Sequence, residues 1–178
     1  MADVIPTGPV GICKEALKQL VAESKTFQDA IGAKGTGPEK IALAKLRIHK
    51  TEYVAAAEEE EKMLRPFALI LSTENNSDSA EAISGSGVRD FLKGGDIELR
   101  LEKEIPEDYR ATGQEANAET DFENFYENVL ADIKALAGQP GYLIINSISI
   151  IEGPAKYDPQ GSEKDVYAVR LLISWGMK

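Results

Sequence analysis

Chemistry in this chain would have to start from a very small set of reactive side chains. There is one histidine, His49, and one cysteine, Cys13. One cysteine rules out an intrachain disulfide and an all-cysteine zinc site, and one histidine rules out the commonest two-histidine metal sets. His49 stands beside Lys50 at the end of a predicted helix, and spacing supplies neither the orienting carboxylate nor the partner nucleophile that acid–base catalysis needs. It reads as a capping or surface residue. Cys13 follows Ile12 on the first predicted helix and reads as a small buried hydrophobe, since Lys14 alone is too little positive charge to make a reactive thiolate.

Other groupings fall to the same scrutiny. Ser84-Gly85-Ser86-Gly87 with Gly94-Gly95 suggests a phosphate loop, yet no Gly-Lys-Ser/Thr follows and no helix opens after a strand there. The run Glu58–Glu61 offers oxygens to a divalent cation, but consecutive helical carboxylates point in different directions instead of converging. Asp158 and Asp165 flank a Gly/Pro loop without calcium-loop spacing, and Trp175 reads as core. The expectation is a non-enzyme with no catalytic residues, no metal and no cofactor.

Bulk properties narrow the class further. The 178 residues carry 20 basic and 30 acidic side chains, a net charge of −10 that argues against a general binder of DNA or anionic membranes. With 43% hydrophobic and 28% charged residues, the composition is that of a folded globular chain. That length suits one domain with a sizeable core. No apolar run approaches the roughly 20 residues of a membrane span, and residues 1–15 lack a signal peptide's basic start and apolar core.

Elements follow from periodicity. Pro9 can open a helix whose apolar positions include Ile12, Ala16, Leu17 and Leu20, with a break near Ser24 and a continuation through Phe27 to Ile31. A second helix is predicted over 38–50 from Pro38, burying Ile41, Ala44, Leu46 and Ile48. Residues 51–64 read as an exposed arm, and Phe67–Leu71 as a buried strand after Arg65-Pro66. Residues 72–94 and 104–119 read as long loops. Between them Ile97, Leu99 and Leu101 alternate with Glu98, Arg100 and Glu102, giving a strand with one apolar and one charged face.

Phe122, Phe125, Tyr126, Val129, Leu130, Ile133 and Leu136 form a continuous helical stripe, with a capping-box pair Thr120 and Glu123, and Gly138 and Pro140 as stops. The helix is predicted over about 120–137. Residues 142–151, apolar on both faces in their first half, read as a central strand. Residues 152–164 read as a hairpin loop, and 165–175 as a final strand with Tyr167, Val169, Leu171, Ile173 and Trp175 on one face. The order α-α-β-β-α-β-β predicts a single α+β domain over 1–178, with about four mostly antiparallel strands and helices packed on them.

Particular segments carry a family likeness: Leu20–Gln28, Arg65–Ile70 leading into the sheet, Gly95–Leu99 opening a strand, Leu136-Ala137-Gly138 ending the stripe helix, and Leu172–Gly176 at the close. Together they resemble the tail-terminator and neck (head–tail completion) proteins of long-tailed bacteriophages and prophages. The likeness lies in element order and scattered words over nearly the whole chain. It implies a virion structural protein, assembled in the bacterial host cytoplasm, that forms a ring, commonly hexameric, at the head-proximal end of the tail. The implied partners are further copies of itself, the tail-tube protein and a head completion or connector protein, with DNA only as passing cargo and no membrane.

Glu98, Arg100 and Glu102 are the candidate oligomer interface, and their joint replacement by alanine is expected to alter assembly more than monomer folding. Two alternatives stand beside this one. The first is another tail-tube or head–tail joining subunit. The second is a small cytoplasmic enzyme or ligand-binding protein whose polar groups converge only in three dimensions.

Overall fold

The computed structural model describes residues 5–6, 9–50, 64–73, 94–138, 144–157 and 165–176. The N-terminal elements are α1 (Pro9–Glu23), α2 (Lys25–Ala30), α3 (Gly37–Lys45) and a two-residue strand β1 (Ile48–His49). Then come β2 (Phe67–Ser72), β3 (Gly94–Glu104), a 3-10 turn (Glu107–Tyr109), α4 (Glu115–Leu136), β4 (Ile144–Tyr157) and β5 (Val166–Gly176). The strands form one five-stranded sheet in the order β1-β2-β3-β5-β4, antiparallel except for the β1–β2 pair. The fold is α+β, as predicted.

Alternation along the strands decides which face becomes the core. Ala68 and Ile70 of β2, Ile97, Leu99 and Leu101 of β3, and Val169, Leu171, Ile173 and Trp175 of β5 point to one side and are buried. Against them pack Cys13, Leu17, Leu20 and Val21 of α1, Phe27 of α2 and the stripe Phe122, Phe125, Tyr126, Val129 and Ile133 of α4. Phe122 lies at 5.6 Å from the Tyr167 ring in a stacked pair, and Phe125 at 6.5 Å from Phe27, so α4 joins the sheet to the N-terminal helices.

Ser24 breaks the N-terminal helix into two. Fully buried, it caps α2 by accepting a hydrogen bond from the Phe27 amide. Its hydroxyl donates in turn to Asp132 of α4 at 2.8 Å, and the Thr26 amide donates to the same carboxylate oxygen at 2.9 Å. Burial works to raise the Asp132 pKa, but these hydrogen bonds outweigh it and hold the carboxyl below its ordinary value.

Several boundaries differ from the sequence expectations, each for a local reason. The helix predicted over 38–50 ends at Lys45, and Ile48–His49 instead add a parallel strand beside Ala68 and Leu69. Ile48 is therefore buried in the sheet while Leu46 is exposed, and the sheet has five strands instead of four. The loop predicted over 104–119 contains the 3-10 turn and the start of α4, which begins at Glu115 with Gln114, not Thr120, at its N-cap. Hydrogen bonds from the backbone at Glu115 and Gly113 hold the Glu115 carboxyl below the usual range, the interaction that favours an acid in a first helical turn. The other end follows expectation, with Gly138 at φ +83° just past the helix.

The segment expected to be a central strand is instead the edge strand β4, and it runs on to Tyr157 into the predicted hairpin loop. Register shifts at Ile145/Ser147, Ile150/Glu152 and Glu152/Ala155 absorb extra residues, so a run that looks apolar on both faces follows from bulging, not from burial on both sides. The arm at 51–64 and the loop at 72–94 fall almost entirely outside the described residues.

Two outcomes test this packing. Phe125→Ala should cost about 3–5 kcal/mol of unfolding free energy, read from the denaturant midpoint at unchanged slope. The Asp132 carboxyl titrates lower when folded than its unfolded value of about 3.9, so its contribution is full above that value and is lost as pH falls through the folded pKa. Asp132→Asn should therefore lose less stability than wild type on acidification between about pH 5 and pH 2, measured by urea unfolding.

Candidate functional site

The face of the sheet opposite the helices carries the residues that the β3 alternation singled out. Glu98, Arg100 and Glu102 lie together there, but each is engaged within the chain. In the β3–β5 register Arg100 stands directly opposite Arg170. Like charges so placed repel, and the two guanidinium groups turn to different carboxylates. Arg170 grips Glu98 with Nε and Nη2 at 2.6 and 3.0 Å and reaches Glu152 of β4 with Nη1 at 3.1 Å. Those bonds raise the Arg170 pKa still further above its already high ordinary value. Arg100 pairs with Glu102 at 2.5 Å through Nη2.

Glu102 is the deepest member. It is 1% exposed and receives the Arg65 Nε at 3.1 Å on its second oxygen. The Arg65 guanidinium also lies 5.2 Å from the centre of the Phe67 ring. Phe67, Leu69 and Leu71 form a small second apolar cluster on this face, and His49 meets the Phe67 ring edge-on at 6.2 Å. The face is thus apolar and buried along β2, and charged and partly solvated along β3, β5 and β4.

A separate concave feature lies on the helical side. Between the C-terminal end of α4 and β4 is a cavity of about 490 Å³ lined by Lys134, Ala137, Ile145, Asn146, Ser147 and Ile148 among others. Its walls mix aliphatic surface with one ammonium, one amide and one hydroxyl.

The other residues weighed from sequence are not brought together. Cys13 is buried in the core, and burial pushes its thiol up to about 12, so it is not a thiolate near neutral pH. His49 sits on β1 and not on a helix end. Burial and then Lys18 lower its pKa, favouring neutral imidazole. Trp175 is core, as expected, and Asp165 pairs with Lys156 at 2.7 Å. Glu58–Glu61, Ser84–Gly87 and Asp158 lie outside the described residues. Among the described residues no group of three or more His, Cys, Asp or Glu side chains is placed to hold a metal ion. Nor is any helix among them long and apolar enough to cross a membrane.

Sequence reasoning missed Arg65, Glu152 and Arg170, the counter-charges of the β3 face. Arg170 had a usable signal, because it occupies an outward position of a strand whose alternate residues are all core. Arg65 and Glu152 had none, since their proximity depends on strand order and bulges. No protein-family model matches the chain, and no curated protein matches it either.

The two halves of the charged face should respond differently to substitution. Glu102→Ala leaves two arginines facing a buried site and should cost about 3–5 kcal/mol of stability. Glu152→Ala, on the exposed side of Arg170, should change stability by less than about 1 kcal/mol. Paired chemical denaturation curves read both, and equal effects would remove the distinction.

Proposed function

We propose that this protein is a structural subunit that assembles with copies of itself, of the kind that forms the terminator or neck ring between a phage tail and its head. The observation that carries this reading is β4, a 14-residue edge strand on which Ile150 and Ile151 are exposed. A strand edge offers a row of unpaired amides and carbonyls. Apolar side chains beside it add area that gains by being removed from water. Such an edge on a chain with no membrane-spanning helix among its described residues favours protein–protein contact. Bulges along β4 restrain indiscriminate edge pairing while leaving its side chains available for a shaped contact.

A net charge of −10 fits a subunit lining a passage through which DNA must slide, because a basic lumen would retain the polyanion. The tail-tube and head connector proteins are the partners such a ring would meet, and the virion neck the place where it would act.

The cavity between α4 and β4 favours a second reading, a small-ligand protein, since its volume falls in the range of ligand sites and its walls bring polar groups together with aliphatic surface. One experiment separates the two. Light scattering across a dilution series should give a mass that is a fixed multiple of 19.3 kDa, and negative-stain images of the same sample should show closed rings with a central hole. A monomer at every concentration overturns the ring and leaves the cavity as the feature to pursue.

A further inference from the structure

The charge of the chain is unevenly placed along the sheet. Residues 9–50 carry eight Lys or Arg against four Asp or Glu, although the whole chain is at −10. Within α4 the balance reverses, with six acidic residues and one basic. Within the basic segment α3 leads into β1 at one edge of the sheet, while the acidic α4 lies beside β4 at the other.

Each end also exposes apolar side chains among its charges. On α3 and the turn after it, Leu43 is 42% and Leu46 73% exposed, flanked by Lys40, Lys45 and Arg47. At the opposite edge Ile150 is 54% and Ile151 48% exposed. Ile150 pairs in register with core residue Leu171, so it belongs to the helical side of the sheet.

Helix α4, which packs beside β4, carries Glu115, Glu119, Glu123 and Glu127, one stripe at four-residue spacing. The stripe passes Tyr167, whose hydroxyl is pushed up by burial first and then by Glu119, Glu115 and Glu123. Like charges at this spacing disfavour a helix, so beyond Glu115 in the first turn the stripe is not explained by α4 stability. Lys40, Lys45, Arg47, Glu119, Glu123 and Glu127 form no ion pair among the described residues.

We propose that copies of this chain join head to tail, the Leu43–Leu46 patch with Lys40, Lys45 and Arg47 seating on Ile150 and the α4 stripe of Glu119, Glu123 and Glu127 of the next copy. This rests on the self-assembly reading and names its two faces. The occupant follows from complementarity, because both patches expose apolar surface and each carries the charge sign that the other lacks. A contact between two different patches is heterologous, and it closes into a ring when its rotation divides a full turn. Overall like charge does not forbid it, since screening over about 8 Å at physiological salt leaves adjacent opposite charges to dominate. Charged pairs at the rim select the partner and the register while Leu43, Leu46 and Ile150 supply the buried apolar area.

Charge exchange tests the pairing directly. The variant Lys40→Glu with Lys45→Glu and the variant Glu119→Lys with Glu127→Lys should each fold, checked by circular dichroism, and each should raise the apparent dissociation constant of the assembly about tenfold or more. Mixed in equal amounts they should recover assembly, because every contact between unlike variants again joins opposite charges. Loss of mass in both variants without recovery on mixing overturns the pairing. Wild-type mass retained by both variants also overturns it, leaving the patches to a partner other than this chain while self-assembly stands. A wild-type chain that is monomeric throughout defeats the self-assembly reading and this inference together.

Discussion

Cover for the sheet is the constraint on which the rest of this structure depends. Five strands spaced about 4.8 Å apart present an inner face of Ala68, Ile70, Ile97, Leu99, Leu101, Val169, Leu171, Ile173 and Trp175, which must be kept from water. Helices pack about 8–10 Å apart, so two of them span about four strands. Here α1 lies over the β1–β2 side and α4 over β5 and part of β4. The fifth strand is consequently left half covered, with Ile145 and Ile148 packed against the core and Ile150 exposed. The cavity beside β4 has the same origin.

The helical layer is held in register by the contact of Asp132 with Ser24 and Thr26. This contact lets a helix break inside the core without leaving its end groups bare. An interrupted helix exposes amide donors at its second start, and buried donors without partners cost stability. Ser24 satisfies one and Asp132 another, so a single carboxylate on α4 fixes where the N-terminal helices turn.

On the opposite face, the charged residues of β3 are part of the fold as well as its surface. Glu102 is buried because two arginines neutralise it and Phe67 lies under one of them. Glu98 and Arg170 stay nearer to water and tie β3 to β5 and β4. The proposed contact between copies therefore falls on the ends of the sheet, where charge and apolar surface are both left unmatched, and not on the middle of this face.

What the sequence determined by itself was whatever depends on local period. The alternation of β3 and β5, the stripe of α4, the break at Ser24 and the stop at Gly138 all place side chains on a face through backbone geometry alone, and they stand as read. The tertiary structure alone decided the identity of neighbours. Ile48–His49 became a strand because Ala68 and Leu69 lay beside them, and β4 is an edge because among the described strands it pairs with β5 alone. The same holds for the ion pairs, since Arg65 and Glu102 are 37 residues apart and meet only through the order of strands. Period is a property of consecutive residues, whereas strand order is set by which distant surfaces exclude water best.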